Sequence, residues 1–317
     1  MRTLTQVVAC TLTWLCVAGQ AHAQTHDSII PDVVYGHKDG MALTMDVFAP
    51  PGEANGAGIL YMVSGGWVSW WTPPEQARSN FETLLSEGFT VFSVRHGSSP
   101  RFKVPEAYAD VRRAVRFVRL NARTYGVDPD RLGVWGGSAG GHLSLMLGLA
   151  SDKGNPTAAD EVLRESSRVA AVVAYFPPVD LRTRVASHDR FPPTYPDDAL
   201  SLAGGIVRPD SHTPFPALDF DERLMSSVSP ILHVSPDDPP TLLVHGDADS
   251  LVDVNNSRLM HAALKGKGVV TDLVVIEEAG HGFQGADATR ATSLLVEWFS
   301  THLVEVSENM KHVLSVE

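Results

Sequence analysis

Six short, mostly apolar runs constrain this chain more than any other feature. They are Gly58–Val63, Thr90–Val94, Arg131–Trp135, Val169–Phe176, Thr241–His245 and Leu273–Ile276. A strand covered on one face alternates apolar and polar residues, whereas a near-continuous apolar run suits a strand covered on both. Segments with helical signals lie between the runs: Arg78–Glu87 ahead of Gly88, Pro105–Tyr125 ahead of Gly126, Ser138–Ala150, Asn255–Lys265 and Ala286–Leu303. In the second of these, Val111, Val115, Val118 and Ala122 recur at helical spacing. Ala42–Phe48 adds an early alternating strand. Such alternation predicts an α/β fold with a mostly parallel central sheet flanked by helices. Residues 180–238 break the rhythm with a stretch rich in Pro, Asp, Ser and His. An insert of this length between core strands is expected to act as a partial lid or binding loop.

Composition narrows the function classes. With 44% hydrophobic and 20% charged residues the chain is too apolar to be disordered. Acidic residues number 37 against 25 basic, and the net charge of −12 excludes nucleic acid as a partner. The N-terminus carries Arg2, a mostly apolar run from Leu4 to Gly19, and Ala21-His22-Ala23. This pattern predicts a signal peptide over residues 1–23, because the run falls short of the ~20 apolar residues that span a bilayer. Val7-Val8-Ala9-Cys10 resembles a lipidation site but sits too early in the run. The expectation is a single domain over residues 24–317, periplasmic or secreted, without a stable membrane anchor. Cys10 and Cys16, the two cysteines of the chain, would leave with the leader, so neither a disulfide scaffold nor a cysteine nucleophile is available.

Gly136-Gly137-Ser138-Ala139-Gly140 follows the strand Leu132–Trp135 and precedes the apolar stretch His142–Leu149. In that context a Gly-x-Ser-x-Gly segment puts the serine on a tight strand-to-helix turn, with its hydroxyl projecting from the sheet. The helix start aims N–H groups at developing negative charge. A serine hydroxyl is a poor nucleophile unless a base takes its proton. Of 13 histidines, His281 stands in Ala-Gly-His-Gly-Phe just beyond a core strand, where flanking glycines let an imidazole swing over Ser138. His245 and His142 are expected to be structural. The base needs a carboxylate to fix its tautomer. Asp249 is the first choice, followed by Asp247 and Asp253, in the acidic loop after Thr241–His245. Gly65 and Gly66, after the strand Gly58–Val63, are placed to offer unobstructed N–H groups to a substrate oxygen, with Ala139 N–H as the other donor. Trp67, Trp70 and Trp71 follow directly. Trp67 and Trp70 are candidates for substrate contact, with packing of the loop as the alternative.

These segments together resemble the α/β-hydrolase superfamily, specifically bacterial carboxylesterases of the hormone-sensitive-lipase-like and feruloyl-esterase-like groups. The resemblance rests on Val63-Ser64-Gly65-Gly66-Trp67, Gly136–His142, His245–Val252 and Gly280-His281-Gly282-Phe283, in family order over residues 32–305. It implies the α/β-hydrolase fold and a catalytic triad of Ser138, Asp249 and His281. The family pattern Gly-x-x-Asp-x-x-Val selects Asp249. It also implies an oxyanion hole of Gly65, Gly66 and Ala139. One departure stands out: Val63 and Ser64 occupy the first two places of the usual His-Gly-Gly-Gly-Trp.

The expected activity is hydrolysis of a carboxylic ester, either a small molecule or one linked to a polysaccharide, with no cofactor and no metal. A serine peptidase of prolyl-oligopeptidase type and a non-catalytic binding protein on the same scaffold are the alternatives. Arg112, Arg116, Arg119 and Arg123 form a stripe expected to be the solvated face of its helix.

Overall fold

The computed structural model describes residues 29–182 and 216–304. The expected signal peptide and residues 183–215 of the insert lie outside the described residues. Among the described residues eight strands form one sheet: β1 (Ile29–Lys38), β2 (Met41–Phe48), β3 (Gly58–Val63), β4 (Thr90–Arg95), β5 (Leu132–Gly137), β6 (Ala171–Tyr175), β7 (Thr241–Gly246) and β8 (Thr271–Ile276). Their order is β1-β2-β4-β3-β5-β6-β7-β8. The pairs β1/β2 and β2/β4 are antiparallel, and every pair from β4 through β8 is parallel.

Among the described residues the α-helices are α1 (Pro74–Ala77), α2 (Glu82–Ser86), α3 (Val104–Leu120), α4 (Ala139–Leu149), α5 (Glu222–Met225), α6 (Asn255–Gly266) and α7 (Gly285–Leu303). They cover both faces of the sheet, so the apolar strands have two cores. Strand side chains alternate between them with period two. In β3, Leu60 and Met62 pack with Val111, Val115 and Leu145 from α3 and α4. Ile59, one residue before Leu60, packs on the opposite face with Leu84 and Leu85 of α2 and Leu295 and Phe299 of α7.

Three local readings change. β1 is a strand that sequence periodicity did not show, because register shifts between Ile30/Val33 and Val34/Gly36 spoil its alternation. The expected helices at 78–87 and 105–125 are interrupted. Arg78–Phe81 and Ala122–Tyr125 are 3₁₀ turns, and Gly126, at φ 66°, ends the second segment. The described part of the insert is not structureless: Ala217, Leu218, Met225 and Val228 join the core on the α3/α4 side.

The arginine stripe is a second kind of correction. Arg112 and Arg116 both bind the Asp152 carboxylate, and Arg119 donates to the carbonyls of Ser166 and Arg168. Arg116 is buried. These three arginines clamp the loop after α4 onto α3 rather than lying in solvent, whereas Arg123 is exposed as expected. Among the described residues no helix is long and apolar enough to cross a membrane.

Candidate active site

The carboxyl ends of β3, β5, β6, β7 and β8 deliver the candidate residues to one edge of the sheet, where ligand sites of open parallel sheets form. Ser138 occupies the turn between β5 and α4 with φ 54° and ψ −120°, a strained conformation for a residue with a Cβ. Its N–H donates to the Tyr175 carbonyl at 2.9 Å, and its carbonyl accepts the His142 N–H at 2.9 Å. The turn closes only because its neighbours lack side chains. A Cβ on Gly136 would lie 2.5 Å from the Gly140 main chain, and one on Gly140 would lie 2.7 Å from the Met62 carbonyl oxygen.

The long-range contacts join the three residues in a line. Ser138 Oγ lies 3.0 Å from His281 Nε2, and His281 Nδ1 lies 2.8 Å from Asp249 Oδ2. A carboxylate only accepts, so His281 carries its proton on Nδ1 and presents the Nε2 lone pair to the Ser138 hydroxyl. Asp249 is buried, and its Oδ1 accepts the N–H groups of Leu251 (2.9 Å) and Val252 (2.8 Å). Burial pushes the Asp249 carboxyl up. The hydrogen bonds from His245, His281 and Val252 outweigh it and hold the group well below the usual carboxylate range. The other acidic candidates are spent elsewhere: Asp247 accepts the Glu278 N–H at 2.7 Å, and Asp253 accepts the Asn255 N–H at 2.7 Å.

A second histidine meets the same carboxylate. His245 is fully buried, with Nε2 at 2.7 Å from the Val252 carbonyl and 3.3 Å from Asp249 Oδ2. Both partners accept, so Nε2 bears the proton. Nδ1 then accepts from Ser257 Oγ at 2.7 Å. Asp249 thus sits between two Ser–His pairs, Ser138–His281 on the open side and Ser257–His245 on the buried side. His245 is expected to be structural, and its position four residues before Asp249 is the sequence signal for this second contact. Phe176 packs its ring 4.7 Å from that of His281 and 6.4 Å from that of His245. It does so from a positive φ of 37°, rare for a bulky residue.

The loop after β3 is a tight hairpin. Gly65 N–H donates to the Val68 carbonyl at 3.0 Å and Val68 N–H returns to Gly65 at 2.9 Å. Gly66 (φ 55°) and Trp67 (φ 58°) form the two-residue turn, the mirror-image type that right-twisted hairpins favour. This corrects the expectation for Gly65, whose N–H is already engaged within the hairpin. Gly66 N–H, and Ala139 N–H at the start of α4, are the groups of the expected set that remain as donors. Gly140 N–H donates to the Ser64 carbonyl at 3.2 Å and ties the hairpin to α4.

The tryptophans divide. Trp67 is 3% exposed, and its indole N–H donates to His142 Nδ1 at 3.2 Å. His142 Nε2 in turn donates to the Val228 carbonyl at 2.8 Å. Trp67 is therefore a packing residue that holds the turn, which corrects its expected role as an open ring face for substrate. Trp70 is 36% exposed and covers Gly65, where a Cβ would meet its ring at 3.4 Å.

A sheet of this order, with a serine on the turn after β5, defines an α/β-hydrolase. The model of the family described as BD-FAE matches residues 45–264, and the chain belongs to that family. It is similar to esterase LipQ of Mycobacterium tuberculosis, at 29% identity over 82% of this chain and 58% of the relative. The chain spans about half the length of the curated mycobacterial relatives it matches. An ethyl acetate hydrolase of Pseudomonas putida is 27% identical over 90% of this chain and 86% of its own. Among solved structures, a truncated carbohydrate esterase from gut microbiota is 26% identical. It superposes with a TM-score of 0.67 over 89% of this chain and 99% of that one.

Proposed function

We propose that this chain hydrolyses carboxylic esters through an acyl-enzyme on Ser138. The observation that carries the reading is the Ser138 Oγ–His281 Nε2 contact of 3.0 Å, backed by Asp249 at 2.8 Å on the far side of the ring. His281 Nε2 takes the hydroxyl proton as Ser138 Oγ bonds to the ester carbonyl carbon. The resulting oxyanion is met by Gly66 and Ala139 N–H groups. The C–O bond to the alcohol then breaks, and the alcohol leaves with the proton from His281. Water repeats the sequence on the acyl-enzyme and releases the acid. Asp249 holds the His281 tautomer and stabilises the imidazolium.

The substrate reading is a short acyl ester of a small alcohol or a sugar. Its support is the naming of two relatives, an ethyl acetate hydrolase and a carbohydrate esterase. Export is part of the same proposal and rests on the leader-like sequence of residues 1–23. N-terminal sequencing of the exported chain should begin at Gln24, and retention of Met1 would count against it.

The decisive experiment compares wild type with Ser138→Ala. Wild type should turn over p-nitrophenyl acetate and be labelled by a fluorophosphonate on the peptide containing Ser138. The variant should fold, take no label and lose turnover. Turnover at the wild-type rate in Ser138→Ala would overturn the proposal.

A further inference from the structure

Two buried side chains outside the Ser138–His281–Asp249 line converge on the hairpin after β3. His96 follows β4, and its ring is 5% exposed. Its Nδ1 lies 2.9 Å from the Gly97 carbonyl oxygen, which can only accept, so the proton resides on Nδ1. Nε2 is then an acceptor, and it lies 2.8 Å from Ser64 Oγ. Ser64 therefore donates its hydroxyl proton to His96. Burial drives the His96 pKa down to about 4, with Lys38 adding to the effect and the Gly97 bond opposing it, so the ring is a neutral acceptor near pH 7.

Ser64 is pinned twice. Its side chain is held by His96 beyond β4, and its carbonyl accepts the Gly140 N–H of α4. The residues after His96 hold the rest of the hairpin: Ser99 N–H donates to the Trp67 carbonyl at 3.1 Å, and Ser69 N–H donates to Ser98 Oγ at 2.9 Å. A loop that offers an N–H to a transition state needs this restraint, because a displacement of about 1 Å can cost on the order of a hundredfold in rate. Val63 and Ser64 replace the first two residues of the His-Gly-Gly-Gly-Trp pattern, so the loop carries no histidine of its own.

We propose that His96, acting through Ser64, is a positioning residue for ester hydrolysis: the pair fixes the hairpin whose Gly66 N–H meets the oxyanion. The proposal rests on the reading of Ser138 as nucleophile and Gly66 as donor. His96 touches no reacting atom, and its effect passes through one hydroxyl to the loop.

The test uses Ser64→Ala, His96→Phe and His96→Gln in the full chain. Alanine removes the donor, phenylalanine fills the space without an acceptor, and a glutamine amide oxygen can still accept from Ser64. Each is measured for kcat and KM on p-nitrophenyl acetate, and for inhibition by a trifluoromethyl ketone, whose tetrahedral adduct places an oxyanion in the hole. Ser64→Ala and His96→Phe should lower kcat about tenfold, less than the loss of a whole donor, with KM changed less than about twofold. Inhibitor affinity should fall by the same factor as kcat. His96→Gln should retain kcat to within about threefold, since the acceptor is restored. Wild-type kcat in folded Ser64→Ala would overturn the proposal. So would a rise in KM alone, or an equal loss in His96→Gln, which would mean simple packing. If Ser138→Ala were active, the underlying reading would fail; if it were dead while Ser64→Ala kept full kcat, only the positioning role would fail.

Discussion

His245 Nε2 lies 3.3 Å from Asp249 Oδ2, the same oxygen that faces His281 Nδ1 at 2.8 Å. One carboxylate oxygen is shared by a half-buried histidine that opens on Ser138 and a fully buried one that opens on Ser257. With Leu251 and Val252 N–H groups on its other oxygen, Asp249 has a donor in each direction that matters and no freedom to rotate. A carboxylate fixed in this way fixes the ring that leans on it.

Replacing His245 with Phe should therefore be felt at Ser138, although the two residues do not touch. The variant loses one donor to Asp249 and leaves the Val252 carbonyl and the Ser257 hydroxyl without their partner. Unfolding in urea should show a loss of about 1–3 kcal/mol for these buried groups. The kinetic expectation is a fall in kcat with little change in KM. A variant with unchanged kcat would show that His281 and the backbone donors hold Asp249 by themselves.

Asp249→Asn keeps the shape and reverses the chemistry. An amide can offer an N–H toward His281 Nδ1 and so favour the tautomer with its proton on Nε2, which cannot accept from Ser138. Loss on the order of 10⁴ in kcat is expected. Asp247→Asn should leave kcat nearly unchanged, because that carboxylate serves the Glu278 N–H instead. Steady-state assays of the two variants side by side check both statements.

The acid side of the stability curve has two separable parts. His96 is held neutral down to about pH 4, whereas an unfolded chain protonates it near 6.5. Between those values the unfolded state binds the extra proton, so stability falls as pH drops through this window, by up to about 3 kcal/mol. Lys38 and Asp110 flank the Gly97 turn, and burial pushes the Asp110 carboxyl above its ordinary value. For Asp249 the folded pKa is depressed, so its contribution is present above its ordinary 3.8 and is lost only below it. Denaturant titrations from pH 7 to 4 should show a shallower slope in His96→Gln than in wild type. Identical slopes would remove His96 as the cause.

Two alanine substitutions should behave in opposite ways despite sitting beside the two central residues. Gly136→Ala would place a Cβ 2.5 Å from the Gly140 main chain, so the turn must open. The expected cost is about 3 kcal/mol or outright failure to fold, with activity lost. Gly280→Ala, next to His281, would meet nothing within 4 Å. It should melt within a few degrees of wild type, corresponding to about 0.5 kcal/mol.

Much of the fold was legible because its strands are buried on both faces and write near-continuous apolar runs. All six of those runs overlap strands of the sheet. Ser138 could be read because its turn needs glycines, and those glycines are next to it in sequence. Asp249 was harder, since Asp247 and Asp253 are chemically equal on paper and only their backbone partners separate them. β1 was missed because its bulges erase the period that marks a strand. Arg112, Arg116 and Arg119 depart from the expected solvated stripe because their acceptors at 152, 166 and 168 are far from α3 in sequence.

The layered α/β architecture, the strained serine turn and the order Ser138, Asp249, His281 could be read from residue order alone. These are local properties: periodicity, glycine placement and the residue types that follow each core strand. The tertiary structure decided everything that depends on which side chain meets which across the chain. It spent the Gly65 N–H inside a hairpin and buried Trp67 against His142. It set His245 behind Asp249, and it seated Ser64 on His96. A hydrogen bond needs two partners at one distance and one angle, and residues 32 or 75 positions apart acquire that geometry only when the sheet brings their strands together.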